Sequence, residues 1–377
     1  MKKVIFILTV LLVTVTTTAQ IDSFKSRLSF DADFRFRVEQ DWDSQKSDGS
    51  LRDDRTRLRY RLRTGVKYKV KWYEVGFRVR TGNPQKQQDP QLTLGDGFKE
   101  FGTLPIGIEK AYFQYRWDKF SFWVGKNTFP FEKNNELFWS DNVYPEGISL
   151  EKRFNIKSSI IDCFSIIGGH YIIATSNKSL NQDSYFQGIQ ISSSFFKKRF
   201  TLFPSLYLFN NIPNIPDGND TFLLKYSIAH IGAKIKVFNK TPLNIEFDYY
   251  KNLQDYNNNN SIPSNFQNQK TGFAIGLKYG NLYDKNDWLF AASYAKLQKF
   301  SAVDFLAQND WVRWDYSSKG SPDGRLTNFS GIELVAGHKI DKKISLKVKY
   351  YFVEQIIPFG TAKENGSRIR FDLDVKF

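Results

Sequence analysis

Cysteine is almost absent from this 377-residue chain. Cys163 stands alone, which excludes an internal disulfide framework and a thiolate metal site. Histidine is nearly as scarce: His170, His230 and His338 are widely separated, so no histidine metal cluster is expected. Beyond the first fifteen residues there is no apolar run long enough to cross a bilayer as a helix. Negative charge is in deficit, with 39 Asp and Glu against 54 Lys and Arg, a formal net charge of +15. Such a balance can indicate nucleic acid, but the N-terminus argues otherwise. Lys2 and Lys3 precede the apolar "VIFILTVLLVTV", and the small residues Thr17 and Ala19 stand before Gln20. That is the pattern of a cleaved secretory leader, too short for a membrane span. The expected division is a leader at 1–19 and a single domain at 20–377. An exported, basic chain points to an anionic solute or lipopolysaccharide as partner, and to no nucleic acid.

Aromatics are abundant on this otherwise polar chain: 35 Phe and 19 Tyr, 16% aromatic beside 25% charged residues. The stretch "RTRLRYRLRTGVKYKVKW" (55–72) places a cation at nearly every second position. A helix would spray these side chains around its cylinder. A strand sends them all to one face and Leu58, Tyr60, Leu62, Val66, Tyr68 and Val70 to the other. The same alternation runs through 28–39, 110–117, 231–237, 243–249, 344–352 and 369–377, a dyad of one apolar and one wet face.

The connections alternate between long and short. "TGNPQKQQDPQLTLGDGFKEFGTLPI" is long, while "KWY", "DKF", "KKR" and "NKTP" are turns. Loops sorted by parity are the rhythm of a transmembrane antiparallel up-and-down β-barrel, all-β, with short periplasmic turns and long external loops. Sixteen strands account for the pattern and put both ends on the periplasmic side. The stretch 147–173 has no clean period and leaves fourteen or eighteen open. Lipid then meets the apolar face, and the cations line an aqueous interior too wide for side chains to fill.

The segments "DFRFRVEQ", "DDRTRLRYRLRTGVKYKV", "VGFRVRTG", "IEKAYFQYRW", "WVGKNTFPF" and "PEGISL" resemble the Putative porin family of Gram-negative outer membranes, similar in layout to the phosphate-selective porins O and P. The likeness covers roughly residues 25–155. It implies a sixteen-stranded diffusion channel, often trimeric, with inward arginines. It implies also that the loop "NTFPFEKNNELFWSDNVYPEG" folds into the barrel and narrows it, bringing Phe131, Glu132, Lys133, Glu136, Trp139 and Asp141 to a constriction. Phe377, closing an alternating strand, would be the signal read by the barrel-assembly machinery. The later loop "NNIPNIPDGNDTFLLKYS" departs from the phosphate-selective pattern, having one lysine and no arginine.

The expected pore wall comprises Arg35, Arg37, Arg57, Arg59, Arg61, Arg63, Lys67, Arg78 and Arg80. Two readings compete. The cations form an anion path, since charged pore walls set selectivity, or Asp31, Asp33 and Glu39, facing the same way, pair with them in an ordinary wet wall. Neighbouring cations two residues apart repel by roughly 0.6 kcal/mol in high dielectric. No catalytic site, cofactor or metal is expected: the histidines have no Ser-His pattern, "GDGFKEFG" has no Gly-Lys-Ser/Thr, and the acids of "SDGS" and "DNVYPEG" lack EF-hand spacing. The expectation is passive diffusion of small anionic or neutral solutes. The alternatives are a substrate-specific uptake barrel working with a partner, or a barrel enzyme.

Overall fold

The computed structural model describes residues 27–95, 102–156, 158–177, 179–214, 222–238, 242–308, 310–312 and 326–377. The expected leader at 1–19 lies outside the described residues, as do parts of the long connections. Sixteen antiparallel strands form the wall: β1 (Leu28–Trp42), β2 (Arg55–Lys69), β3 (Tyr73–Thr81), β4 (Ile106–Trp117), β5 (Phe120–Lys126), β6 (Glu146–Asn155), β7 (Ile161–Ala174) and β8 (Ser184–Phe195). They continue as β9 (Phe200–Pro213), β10 (Leu223–Lys236), β11 (Leu243–Asn252), β12 (Thr271–Gly280), β13 (Trp288–Leu297), β14 (Phe329–Lys339), β15 (Ile344–Gln355) and β16 (Asn365–Lys376). Each pairs with its neighbour in sequence, and β16 returns to β1, so the sheet closes. A two-residue strand, Leu92–Thr93, adds to the free end of β2 inside a long loop.

Facing follows the dyad. In β2, Leu58 and Leu62 are exposed on the outer surface while Arg59, Arg61 and Arg63 are buried inside. Outer positions on other strands repeat this, among them Phe77, Ile148, Ile189, Leu208, Ile231, Ile275, Leu334 and Phe371. A monomeric soluble protein does not expose such a continuous apolar band; hydrocarbon does cover one. Aromatics gather at the short-turn end: Trp72 meets Tyr115 at 5.6 Å, Tyr115 meets Phe122 at 5.5 Å, and Phe154 stacks on Phe164 at 4.6 Å. Rings with an apolar body and a polar edge suit a membrane–water boundary. The turn between β4 and β5 is tight, with Asp118 in the left-handed region (φ 49°).

Two departures from strict alternation matter. β9 and β10 run farther from the short-turn end than the Asn- and Pro-rich sequence implies, and their pairing shifts between Phe209 and Ile212. Between β3 and β4 the register slips by one: Arg78 pairs with Lys110 and Val79 with Ile108. Glu109 is the extra residue of this β-bulge, and it is buried in the lumen next to the inward Lys110. A bulge re-aims side chains in this way.

The seam that closes the barrel is built from one motif used twice. β1 carries "RFRVEQD" (35–41) and β16 carries "RIRFDLD" (368–374). Antiparallel pairing sets Arg35 opposite Asp374, Arg37 opposite Asp372, Glu39 opposite Arg370, and Asp41 opposite Arg368. Arg37 donates to both oxygens of Asp372 at 2.6 and 2.8 Å, and Arg35 likewise to Asp374 at 2.6 and 3.1 Å. Arg370 and Arg368 donate to Glu39 and Asp41, each at 2.5 Å. Any other register would bring like charges together, so the sequence specifies closure by charge as well as by the apolar face.

Candidate functional site

The inward faces of β1–β4 and β16 form one charged wall. Each expected pore-wall cation has a partner there. Arg57 pairs with Glu39, Arg61 with Asp33, Arg59 with Asp89 at 2.6 Å, and Lys67 with Asp31 at 3.7 Å. Arg63 and Arg78 both reach Glu109, at 2.7 and 2.6 Å, with Arg80 at 3.9 Å. Arg35 and Arg37 belong to the seam. Asp31, Asp33 and Asp89 each serve one cation, but the other carboxylates are shared. Glu39 serves Arg57 and Arg370, Asp41 serves Arg55 and Arg368, Asp374 serves Arg35 and Lys347, and Glu109 serves three arginines. Sharing leaves net positive charge on the wall while each buried guanidinium keeps a counter-charge.

The loop between β5 and β6 runs into the barrel and packs on the far wall. Phe129, Phe131, Leu137, Phe138 and Trp139 are buried. Trp139 stacks on Phe129 at 4.4 Å, Phe131 meets Tyr207 edge-on at 5.3 Å, and Phe138 stacks on Tyr207 at 4.8 Å and Tyr250 at 5.1 Å. Polar bonds fix the register of this packing. Glu132 N–H donates to the Gln190 side chain at 2.7 Å, whose amide returns to Glu132 O at 3.0 Å. Asn134 and Asn135 donate to Asp248 at 3.1 and 2.7 Å. Lys133 pairs with Asp141 at 2.6 Å, and Glu136 accepts from Asp141 N–H at 2.9 Å. The lumen is therefore divided: a dry aromatic half against β7–β11, and an open charged half against β1–β4 and β14–β16.

A second loop enters beside the first, which sequence reasoning missed. Between β13 and β14, Val303, Leu306, Trp311 and Val312 are buried. Leu306 O accepts from Ser140 N–H at 2.9 Å, and Gln88 reaches Ala307 O at 2.6 Å, so three long connections interlock. Asp310 from this loop pairs with Arg370 at 2.5 Å. Its signal was available in the apolar "AVDFLA", of the same kind as "ELFW" in the first loop. Glu109, the other missed residue, had no sequence signal, because the bulge shifts it to the face opposite its parity.

Two cavities meet at the loops. One, about 370 Å³, runs along Arg55–Arg63 and Arg368–Arg370. The other, about 380 Å³, lies against β11–β15. Both are lined by Glu136, Asp141, Asp310, Lys347 and Lys349, so carboxylates from two loops face cations of the wall at their junction.

The histidines have local roles. His170 lies 3.0 Å from the Gln187 amide and His338 packs on Trp288 at 4.3 Å. His230 sits between Ser205, at 3.4 Å, and Asp248, at 2.9 Å. This order resembles a hydrolytic triad, but Phe138, Tyr207 and Tyr250 stack about the ring and Ser205 is already engaged by Gln190 at 2.9 Å. The Ser205 hydroxyl is buried and donates to Phe203 O at 3.2 Å. Among the described residues no group of three or more His, Cys, Asp or Glu is placed to hold a metal ion.

A closed sixteen-stranded barrel with an apolar girdle and a charged lumen narrowed by loops has the architecture of an outer-membrane β-barrel. Residues 49–224, from the loop before β2 to the start of β10, match the family described as "Putative porin". Solved porins share the fold. Pseudomonas putida OprB is 12% identical over 96% of each chain, with a TM-score of 0.56. Salmonella typhi OmpF, solved in complex with daunomycin, is 13% identical over 93% of this chain and 97% of its own, TM-score 0.54. A Rhodopseudomonas blastica porin mutant is 12% identical over 93% and 100%, TM-score 0.51. No curated protein matches the sequence.

Proposed function

We propose that the barrel passes small hydrophilic solutes by passive diffusion and prefers anions. The supporting observation is the shared carboxylates: where one Glu109 faces three arginines, the wall keeps net positive charge without an uncompensated buried cation. Low-dielectric walls of one sign raise the local concentration of counter-ions. The loop bearing Phe131, Glu132, Lys133, Glu136, Trp139 and Asp141 acts as the constriction, and residues 1–19 as an export leader. Phe377, whose N–H donates to Ala32 O at 2.9 Å, serves as the assembly signal. Outer-membrane lipid, lipopolysaccharide, the barrel-assembly machinery and two further copies of the chain, in a trimer, are the proposed partners.

The test is reversal potential in planar bilayers under a potassium chloride gradient. The wild-type value should lie on the chloride side. Arg59→Gln with Arg61→Gln should move it toward potassium, since Asp89 and Asp33 then lose their counter-charges. The shift should be largest near 0.01 M, where the screening length is about 30 Å, and small at 1 M. A wild-type value on the potassium side would overturn the anion preference.

A further inference from the structure

The chain has one run of three successive cations, Lys197, Lys198 and Arg199, and it falls in the turn between β8 and β9. All three are exposed, and among the described residues none of them makes an ion pair. The backbone of this turn is unusual. Phe196, Lys197 and Lys198 all lie in the left-handed region, with φ of 55°, 58° and 61°. Every other non-glycine residue found there among the described residues is Asp or Asn, whose short side chains tolerate it. A phenyl ring or a long cation has no such allowance, so here the side chains are retained against the preference of the backbone. The conformation is held from the start of β7. Asp162 accepts from Lys197 N–H at 3.2 Å and from Lys198 N–H at 2.8 Å, and Phe196 N–H donates to Ile160 O at 2.9 Å. The Asp162 carboxylate is thereby occupied by backbone donors, and the three cationic heads stay free to meet another anion.

Apolar surface adjoins these cations. Phe196 and Ile160 are exposed, and Phe154 stacks on Phe164 on the outer face. Lys152 stands on the same lipid-facing row of β6, opposite Phe120 and Ile166. A long cationic stem can lie along apolar surface and carry its charge to headgroup level. Short turns are the periplasmic end of an outer-membrane barrel. The cations therefore stand at the rim of the lipid band, beside side chains that continue it. An acidic polymer in water would match the cations and leave Phe196 and Ile160 unmet. A lipid with an anionic headgroup matches both.

We propose that this turn is a docking site for an anionic phospholipid of the periplasmic leaflet, its phosphate against Lys197, Lys198 and Arg199 and its acyl chains along Ile160 and Phe196. The proposal specifies one of the lipid partners above; it rests on the outer-membrane placement and not on the ion preference. Phosphatidylglycerol is the probe. Folded wild-type protein in detergent, titrated with it and followed by native mass spectrometry, should retain it in preference to phosphatidylcholine. Lys197→Gln with Lys198→Gln should raise the half-saturating concentration about tenfold. Lys197→Asn with Lys198→Asn, in a backbone region that asparagine tolerates, should do the same and serves if the glutamine pair does not assemble. Phe196→Asn leaves every cation in place and should still weaken retention severalfold. Lys342→Gln with Lys343→Gln, in the exposed turn between β14 and β15, should leave it unchanged. Equal retention of the two lipids by the wild type, equal loss in both lysine pairs, or unchanged retention in Phe196→Asn overturns the site. So does a Lys197 and Lys198 variant that no longer sediments with peptidoglycan but keeps its phosphatidylglycerol, which assigns the cations to the wall polymer. A wild-type barrel that inserts into bilayers without preferring phosphatidylglycerol sinks the site alone, whereas a chain that inserts into no bilayer sinks the membrane placement and the site with it.

Discussion

Glu136 stands where the two large lumen cavities meet, and one proton there changes the charge of the junction. Burial, then the adjacent Asp141 and Asp310, push its carboxyl above the usual range, against the pull of Lys133 and Lys349. Asp310 behaves oppositely: burial would push it up, but Arg370, Arg37 and Lys349 hold it well below the usual range. The environments split two carboxyls of similar chemistry. As pH falls, Glu136 therefore takes up its proton first, at a higher pH than a free glutamate, while Asp310 stays ionised. Each uptake removes one negative charge, so the reversal potential should move farther to the anion side as pH is lowered from 7, before the ordinary carboxylates titrate. Glu136→Gln should show the acid-side value already at pH 7 and lose that step. A step of unchanged size in Glu136→Gln would assign the titration elsewhere.

Between residue and barrel stands the element, and here the inward loop is the informative one. Its anchor is apolar, with Phe138 between Tyr207 and Tyr250, and its stop is polar, with Asn134 and Asn135 on Asp248. Phe138→Ala should cost on the order of 3–5 kcal/mol of local packing. The loop should then leave the wall for part of the time, giving larger and noisier single-channel conductance at an unchanged barrel content. A quiet wild-type conductance in Phe138→Ala would mean that the polar stop alone holds the loop. The strands themselves were legible because a period of two is local: any six residues of β2 display it. What escaped the sequence was non-local or broke the period. Glu109 faces inward only through a one-residue slip against β3. Asp310 reaches Arg370 only because a second loop folds beside the first. β9 and β10 outrun their expected ends because pairing partners, not the Asn-rich composition, set where a ladder stops.

At the scale of the whole molecule the closing seam decides whether a barrel exists. Arg37→Asp would set two buried carboxylates opposite each other, a penalty above the roughly 3–5 kcal/mol of breaking a buried pair. Little heat-modifiable, folded protein should then reach the membrane. Adding Asp372→Arg restores the opposition of charges and should recover most of it, since neighbouring residues in one network are non-additive. Equal yields from the single and the double variant would show that the apolar face alone fixes the register.

The repeated motif of that seam has one more consequence, for the chain before it closes. "RIRFDLD" is an electrostatic palindrome: laid antiparallel on a second copy of itself, Arg368 meets Asp374 and Arg370 meets Asp372. "RFRVEQD" has the same property. A β16 strand is thus as complementary in charge to a β16 strand of another molecule as to its own β1. Correct closure wins through proximity rather than affinity, because tethering within one chain gives an effective concentration in the millimolar range. Crowding of unclosed chains would erode that advantage, so the protein's yield should depend on how dilute its nascent copies are kept on the way to the membrane.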